Sequence, residues 1–170
     1  MTRKKLIIII VTILAFAVLI AYNRIKVYRH YTEYFDGMDW NTLGGTVEGY
    51  AWKADEGYVC KSEIINGQDT DLYSFSSSKY SKYGDSEIKM TVVEDRLRAV
   101  EAVIDIYDGA SKDKLYEKYR RIFKRASQSV QTDNGVLFEG NNSDTIYYLT
   151  IDGERVIIRY RYNDLGGRND

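Results

Sequence analysis

The chain has 170 residues, 24 Lys+Arg against 25 Asp+Glu, and a formal net charge of −1. That length fits one folded domain, and a charge near zero excludes a globally basic nucleic-acid binder. The single cysteine, Cys60, excludes an intrachain disulfide framework and a multi-cysteine zinc site, the single histidine, His30, excludes a histidine-cluster metal centre, and the absence of proline excludes a Pro-rich linker.

Arg3, Lys4 and Lys5 make residues 1–5 a basic tail, and Leu6 to Tyr22 (LIIIIVTILAFAVLIAY) follows as 17 residues without a charge. A helix of that length covers ~25 Å, just short of a ~30 Å hydrocarbon core. Tyr22 and the snorkelling Lys5 and Arg24 extend it to both interfaces. Residues 6–22 are therefore predicted as a transmembrane signal-anchor helix, with membrane lipid as its partner. Ala15-Phe16-Ala17 has the small-x-small form of a cleavage site. The apolar run continues past it, however, beyond the ~7–15 residues of a signal peptide's apolar region. No cysteine stands near the end of the run for a lipid anchor, and no Glu marks a type IV pilin. Basic residues lie at both ends, so the positive-inside rule biases the orientation only weakly. The short basic tail favours a cytoplasmic N-terminus and an extracytoplasmic body, as a single-pass protein of a cell membrane or bacterial inner membrane.

Asn23 to Phe35 (NRIKVYRHYTEYF) carries Ile25, Tyr28, Tyr31 and Phe35 at helical spacing. Tyrosines at 22, 28, 31 and 34 suit an interfacial aromatic belt, or else a seam for a partner helix. Asp36-Gly37 and Gly44-Gly45 bound a short linker containing Trp40. Residues 23–45 thus read as a juxtamembrane helix and linker, 46–165 as the extracytoplasmic domain and 166–170 as a tail.

Within the domain, Val47 to Trp52 and Tyr58 to Ile65 are predicted strands around a turn at Ala54 to Gly57. Asn66 to Asp71 reads as a turn, Leu72 to Phe75 as a short strand, and Ser76 to Gly84 as a polar loop. Residues 87–107 form a hairpin, because Ile88, Met90 and Val92 alternate with polar residues, as do Val100, Ala102, Ile104 and Ile106. A three-residue loop, Asp95 to Leu97, keeps the two apolar faces together and pairs Ile88 with Ile104 and Val92 with Val100. Ser111 to Val130 reads as a helix capped by Asp108 or Ser111, with Leu115, Tyr119, Ile122, Phe123, Ala126 and Val130 on one stripe. Gly135 to Gly140 is a strand. Asp144 to Tyr162 is a second hairpin, turning at Asp152-Gly153 and pairing Leu149 with Val156 and Tyr147 with Ile158. Its core face holds Tyr147, Leu149, Ile151, Val156, Ile158 and Tyr160. The expected fold class is α+β: an N-terminal transmembrane helix, then a curved antiparallel sheet packed on one amphipathic helix in a β-β-α-β-β-β core.

Charge is segregated although the total balances. Residues 31–110 hold 16 acidic and 7 basic residues, and residues 111–170 hold 9 and 11. Lys118, Arg121 and Arg125 belong to a basic helix whose faces suit solvent, anionic headgroups or an acidic partner. On the outer face of the last hairpin, Arg155, Arg159 and Arg161 interleave with Tyr148 and Ile157. Rigid aromatics bury area and arginine binds acids bidentately, so that face is the second candidate for a partner. Asn66, Asp69 and Asp71 lack calcium-loop spacing, Asn141-Asn142-Ser143 has the form of a glycosylation acceptor, and the glycine pairs form no phosphate loop.

No catalytic residue, cofactor or metal is expected, nor a nucleic-acid or small-molecule partner. The function expected is a membrane-anchored, non-enzymatic binding or assembly module of an envelope complex, such as a secretion, conjugation or complex-assembly system. The alternatives are an inhibitor or immunity-type protein acting by surface complementarity, and a small-ligand binder with a pocket in the sheet.

Overall fold

A computed structural model describes residues 10–22, 35–54, 56–126, 128–132, 135–139 and 145–163. Helix α1 occupies residues 10–22. Its apolar side chains, Ile13, Phe16, Val18 and Leu19 among them, are all exposed. Among the described residues no helix is long and apolar enough to cross a membrane. The first four residues of the predicted span, Leu6 to Ile9, lie outside them, as do Asn23 to Tyr34 with His30, Tyr28, Tyr31 and Tyr34, while Tyr22 ends α1 and is exposed.

The body runs α2 (Gly44–Ala51), β1 (Tyr58–Ile65), β2 (Gln68–Ser76), a 3-10 turn (Ser78–Tyr80), β3 (Gly84–Val93) and β4 (Arg96–Ile106). It continues with α3 (Gly109–Ala126), β5 (Gln128–Thr132), β6 (Gly135–Glu139), β7 (Thr145–Asp152) and β8 (Arg155–Tyr162). All eight strands form one antiparallel sheet in the order β1-β2-β3-β4-β8-β7-β6-β5. The expected α+β class and antiparallel sheet hold. A helix followed by a four-stranded meander occurs twice, and the two meanders meet where β4 pairs with β8.

Alternation puts the core on one sheet face. Ile88, Met90, Val92, Val100, Ala102, Ile104, Val156 and Ile158 are buried there, and α3 covers its part with Leu115, Tyr119 and Phe123. Fully burying such a side chain contributes roughly 1.5–3 kcal/mol against exposure. The Phe123 ring meets the rings of Tyr119, Tyr147 and Tyr160 with centroids 4.9–5.8 Å apart. Asp108 caps the helix, with Oδ1 accepting the Ser111 N–H at 2.8 Å and Oδ2 the Ser111 hydroxyl at 2.7 Å. Those bonds hold its carboxyl below the usual range.

Several local expectations need correction. Val47 to Trp52 is not a strand: residues 44–51 form α2, whose Val47 and Ala51 are fully buried one helical turn apart. Gly44 admits the close approach, since a Cβ there would lie 2.8 Å from Asp95 Oδ1 and 3.1 Å from Val92 Cγ1. Phe35, expected at the end of the juxtamembrane helix, and Met38 and Trp40 of the expected linker are core: all three are buried, and the indole N–H of Trp40 donates to Thr145 Oγ1 at 2.8 Å. Asn66 to Asp71 is not all turn. Asn66-Gly67 alone turns, at φ 53° and 80°, and Gln68 already pairs with Ile65. The β3–β4 loop is the pair Glu94-Asp95, and the ladder then slips at Thr91/Val92. Ile88 therefore faces Ala102 and not Ile104, and Met90 faces Val100. The bulge absorbs the odd residue, so the apolar faces still agree.

The β7–β8 turn lies one residue later than expected, at Gly153-Glu154. Leu149 pairs with Ile158 and Tyr147 with Tyr160. Gly153 takes φ 60° at the first central position, the place of glycine in a type II′ turn. Ile151, expected in the core, is exposed at the hairpin end. Helix α3 stops at Ala126 and not at Val130, because residues 128–132 pair with β6 as a strand. The side chains of Ala126 and Val130 lie outside the described ones.

Candidate functional site

Helices α2 and α3 both lie on the core face, and among the described residues no helix packs on the other face of the sheet. Strand register lays its residues in rows. One row reads Val59, Ser74, Lys89, Glu101, Arg159 and Tyr148 across six strands. The next reads Lys61, Leu72, Thr91, Ala99, Arg161 and Ile146. On the other side of the first row, Glu87, Val103, Ile157 and Thr150 stand abreast. Leu72, Val103, Ile146, Tyr148 and Ile157 are half-buried, so apolar area remains open between the charges.

Most of those charges are satisfied within the face. Arg155 Nε donates to Asp105 Oδ1 at 2.6 Å, and Arg159 pairs with Glu101. The Asp105 carboxylate raises the pKa of Arg155 further. The Arg159 guanidinium also lies 5.7 Å from the Tyr148 ring centre. Lys89 pairs with Glu87 at 3.2 Å, and Glu87 also accepts the Ser74 hydroxyl. That hydroxyl, with Lys89, holds Glu87 below the usual carboxylate range against the opposing effect of burial. Arg161 is exposed and has no carboxylate partner among the described residues. Two shallow recesses adjoin these groups. One, of about 680 Å³, lies beside Tyr148, Ile157 and Arg159; the other, of about 460 Å³, lies beside Thr70, Thr91 and Arg161.

The structure brings Tyr148, Arg155, Ile157, Arg159 and Arg161 onto this one face, as alternation in the last hairpin predicts. The basic helix does not join them. Lys118 and Arg121 ride on α3, on the opposite side of the sheet, with Lys118 Nζ 5.3 Å from the Tyr119 ring centre. The side chain of Arg125 lies outside the described ones. Glu101 and Asp105 were missed as members of the face. Their four-residue spacing matches that of Arg155 and Arg159, which is the signal an antiparallel β4–β8 pair leaves in the sequence. Comparison with protein-family models, with curated proteins and with solved structures gives no match.

Proposed function

We propose that the chain is a membrane-anchored, non-enzymatic binding module of a cell-envelope assembly, docking a protein partner on the helix-free sheet face. The observation that carries the reading is the composition of that face. Half-buried Tyr148, Ile157, Val103, Leu72 and Ile146 are framed by internally paired charges, and Arg161 has no carboxylate partner among the described residues. Aromatic and aliphatic area with an arginine at its centre is what protein interfaces use, because it gains apolar burial without stranding charge. The partner expected is an apolar protein surface bearing one acidic group opposite Arg161. The uncharged run Leu6–Tyr22 supports the anchor, and the exposure of α1 along its whole described length leaves its apolar surface for lipid to cover. Tethering the body at a bilayer raises its effective concentration for membrane neighbours.

The test is photocrosslinking of the full chain in native membranes from a reactive residue at Tyr148, read by mass spectrometry. One protein should dominate the products. Ile157→Asp and Arg161→Glu should each abolish its capture, while Arg121→Glu on the helix side should leave it intact. Equal capture by the sheet-face variants would overturn the reading.

A further inference from the structure

Strand β1 is an edge of the sheet: it pairs with β2 on one side, and among the described residues nothing pairs with the other. An exposed edge offers a row of free backbone N–H and C=O groups to any strand that fits. This edge is eight residues long and unusually apolar. Val59, Ile64 and Ile65 make up three of the seven exposed large hydrophobics among the described residues of the body, with Val59 at 68 % and Ile64 at 74 %.

We propose that β1 pairs antiparallel with β1 of a second copy of this chain, about a two-fold axis through Ser62, extending the sheet across both copies. Read in both directions from Ser62, the strand is self-complementary. Lys61 then stands opposite Glu63 of the second copy, Cys60 opposite Ile64, and Val59 opposite Ile65. Opposite charges meet twice and apolar residues meet four times.

Backbone geometry selects the same register. The two-residue turn at Asn66-Gly67 makes Ile65 and Gln68 a hydrogen-bonded pair. Alternation then turns the backbone groups of Glu63, Lys61 and Val59 inward to β2, and those of Ile64, Ser62 and Cys60 outward to the free edge. A two-fold axis at Ser62 uses the outward groups for the new ladder. It leaves Lys61 opposite Glu63 in the wider-spaced positions, where side chains approach most closely. An axis at Lys61 or at Glu63 sets like charges face to face. An axis at Cys60 leaves Lys61 opposite Val59. A lysine on an edge usually deters pairing. Here Glu63, two residues on and 3.1 Å from the Lys61 ammonium on the same face, turns that deterrent into a complement for an inverted copy.

The two-fold axis stands normal to the sheet, so the helix-covered faces of both copies look the same way. Phe35, where the body begins, packs against Tyr50 and Phe75 on that face. Both N-terminal segments therefore enter from one side, as two anchors in one bilayer require. The pairing leaves the helix-free face open and does not depend on its having a partner.

The test is sedimentation of the full chain in detergent micelles. A reversible dimer is expected. Lys61→Glu and Glu63→Lys should each weaken it by about tenfold or more, since two attractive cross-strand pairs become repulsive ones. The double exchange, Lys61→Glu with Glu63→Lys, should restore it, which also shows that the single variants did not act by unfolding. Ile64→Cys should give a dimer closed by disulfides from Cys60 to position 64 of the other copy under mild oxidation. Wild type should not crosslink at that rate, because its two Cys60 residues are offset by four positions, or ~13 Å along the strands. A monomer at micromolar concentration would overturn the proposal. So would a dimer indifferent to both single reversals, as contacts through α1 would produce, or open chains of copies, as pairing of β1 with β5 would produce.

Discussion

Asp36 is the clearest charge switch in the body. Its carboxylate accepts from the Lys79 ammonium at 2.7 Å and from the Tyr50 hydroxyl, beside the Phe35 ring that Lys79 also covers at 3.9 Å. Burial pushes the Asp36 pKa up, but the bonds to Lys79 and Tyr50 and the Lys79 charge outweigh it and leave it lowered. A group depressed in the native state adds stability above its unfolded value, and that stability is lost as pH falls through the native one. Asp36→Asn is therefore expected to destabilise at pH 7 by less than ~1 kcal/mol, the scale of a partly exposed ion pair. Asn tolerates the positive φ of 46° at this site, so the exchange isolates the charge. Urea midpoints should show the gap to wild type closing as pH falls through and below the ordinary carboxylate range; an unchanged gap would show that the carboxylate contributes nothing through its charge. A second residue-level test concerns the buried bond between the Tyr80 and Tyr119 hydroxyls, 3.1 Å apart. Tyr119→Phe is expected to cost about 1–3 kcal/mol, because Tyr80 keeps a buried hydroxyl without its partner. Adding Tyr80→Phe should recover part of that loss, and strict additivity in the double variant would rule the coupling out.

At the scale of elements, turns and close approaches decide what periodicity leaves open. Glu94 and Asp95 both take positive φ, 50° and 59°, to close β3 on β4. Asp95 is held there because its carboxylate and carbonyl both accept the Gly44 N–H at the start of α2. Glu94 donates its backbone N–H to the Asp69 carbonyl at 3.0 Å, but among the described residues its side chain makes no hydrogen bond that favours the conformation, and a left-handed residue with a Cβ costs roughly 1–2 kcal/mol. Glu94→Asn should therefore raise thermal stability, and a fall in melting temperature would show the turn is not strained. Gly84→Ala should do the reverse, since its Cβ would sit 1.8 Å from the Asp105 carbonyl oxygen and the β3–β4 ladder would have to open. Neither effect is visible in a pattern of apolar residues. Strands β3, β4, β7 and β8 were legible because alternation over eight or more residues is a strong local signal, and β1 because aromatic and β-branched residues stand between turn signals. Helix α2 was not: three glycines and the β-branched Thr46 and Val47 oppose it locally, and only burial of Val47 and Ala51 against the sheet selects it. The hairpin faces were right while their registers were wrong, because a bulge or a one-residue change of turn moves the pairing without exchanging the faces.

For the molecule as a whole, two helix-plus-meander halves join at β4 and β8 to make a sheet too wide for its two helices to flank on both sides. One face becomes core, and among the described residues no helix covers the other, which is the surface the proposed partner would use. Part of this surface was readable, because Tyr148, Ile157, Arg159 and Arg161 alternate within one hairpin. Its acidic complement was not, since Glu101 and Asp105 reach the arginines only through a pairing of residues 58 and 50 positions apart. Orientation relative to a membrane can be read from the single thiol. Cys60 lies exposed on β1, far from α1 in sequence, and no other cysteine competes with it. If residues 6–22 anchor the chain with its N-terminus in the cytoplasm, the full-length protein should stay with membranes through an alkaline carbonate wash. A membrane-impermeant maleimide at saturating dose should then modify Cys60 in intact spheroplasts. Modification only after permeabilisation would place the body in the cytoplasm. Recovery in the wash of a chain beginning near Val18 would replace the anchor with a cleaved signal, and the sheet face would then meet its partner in free solution.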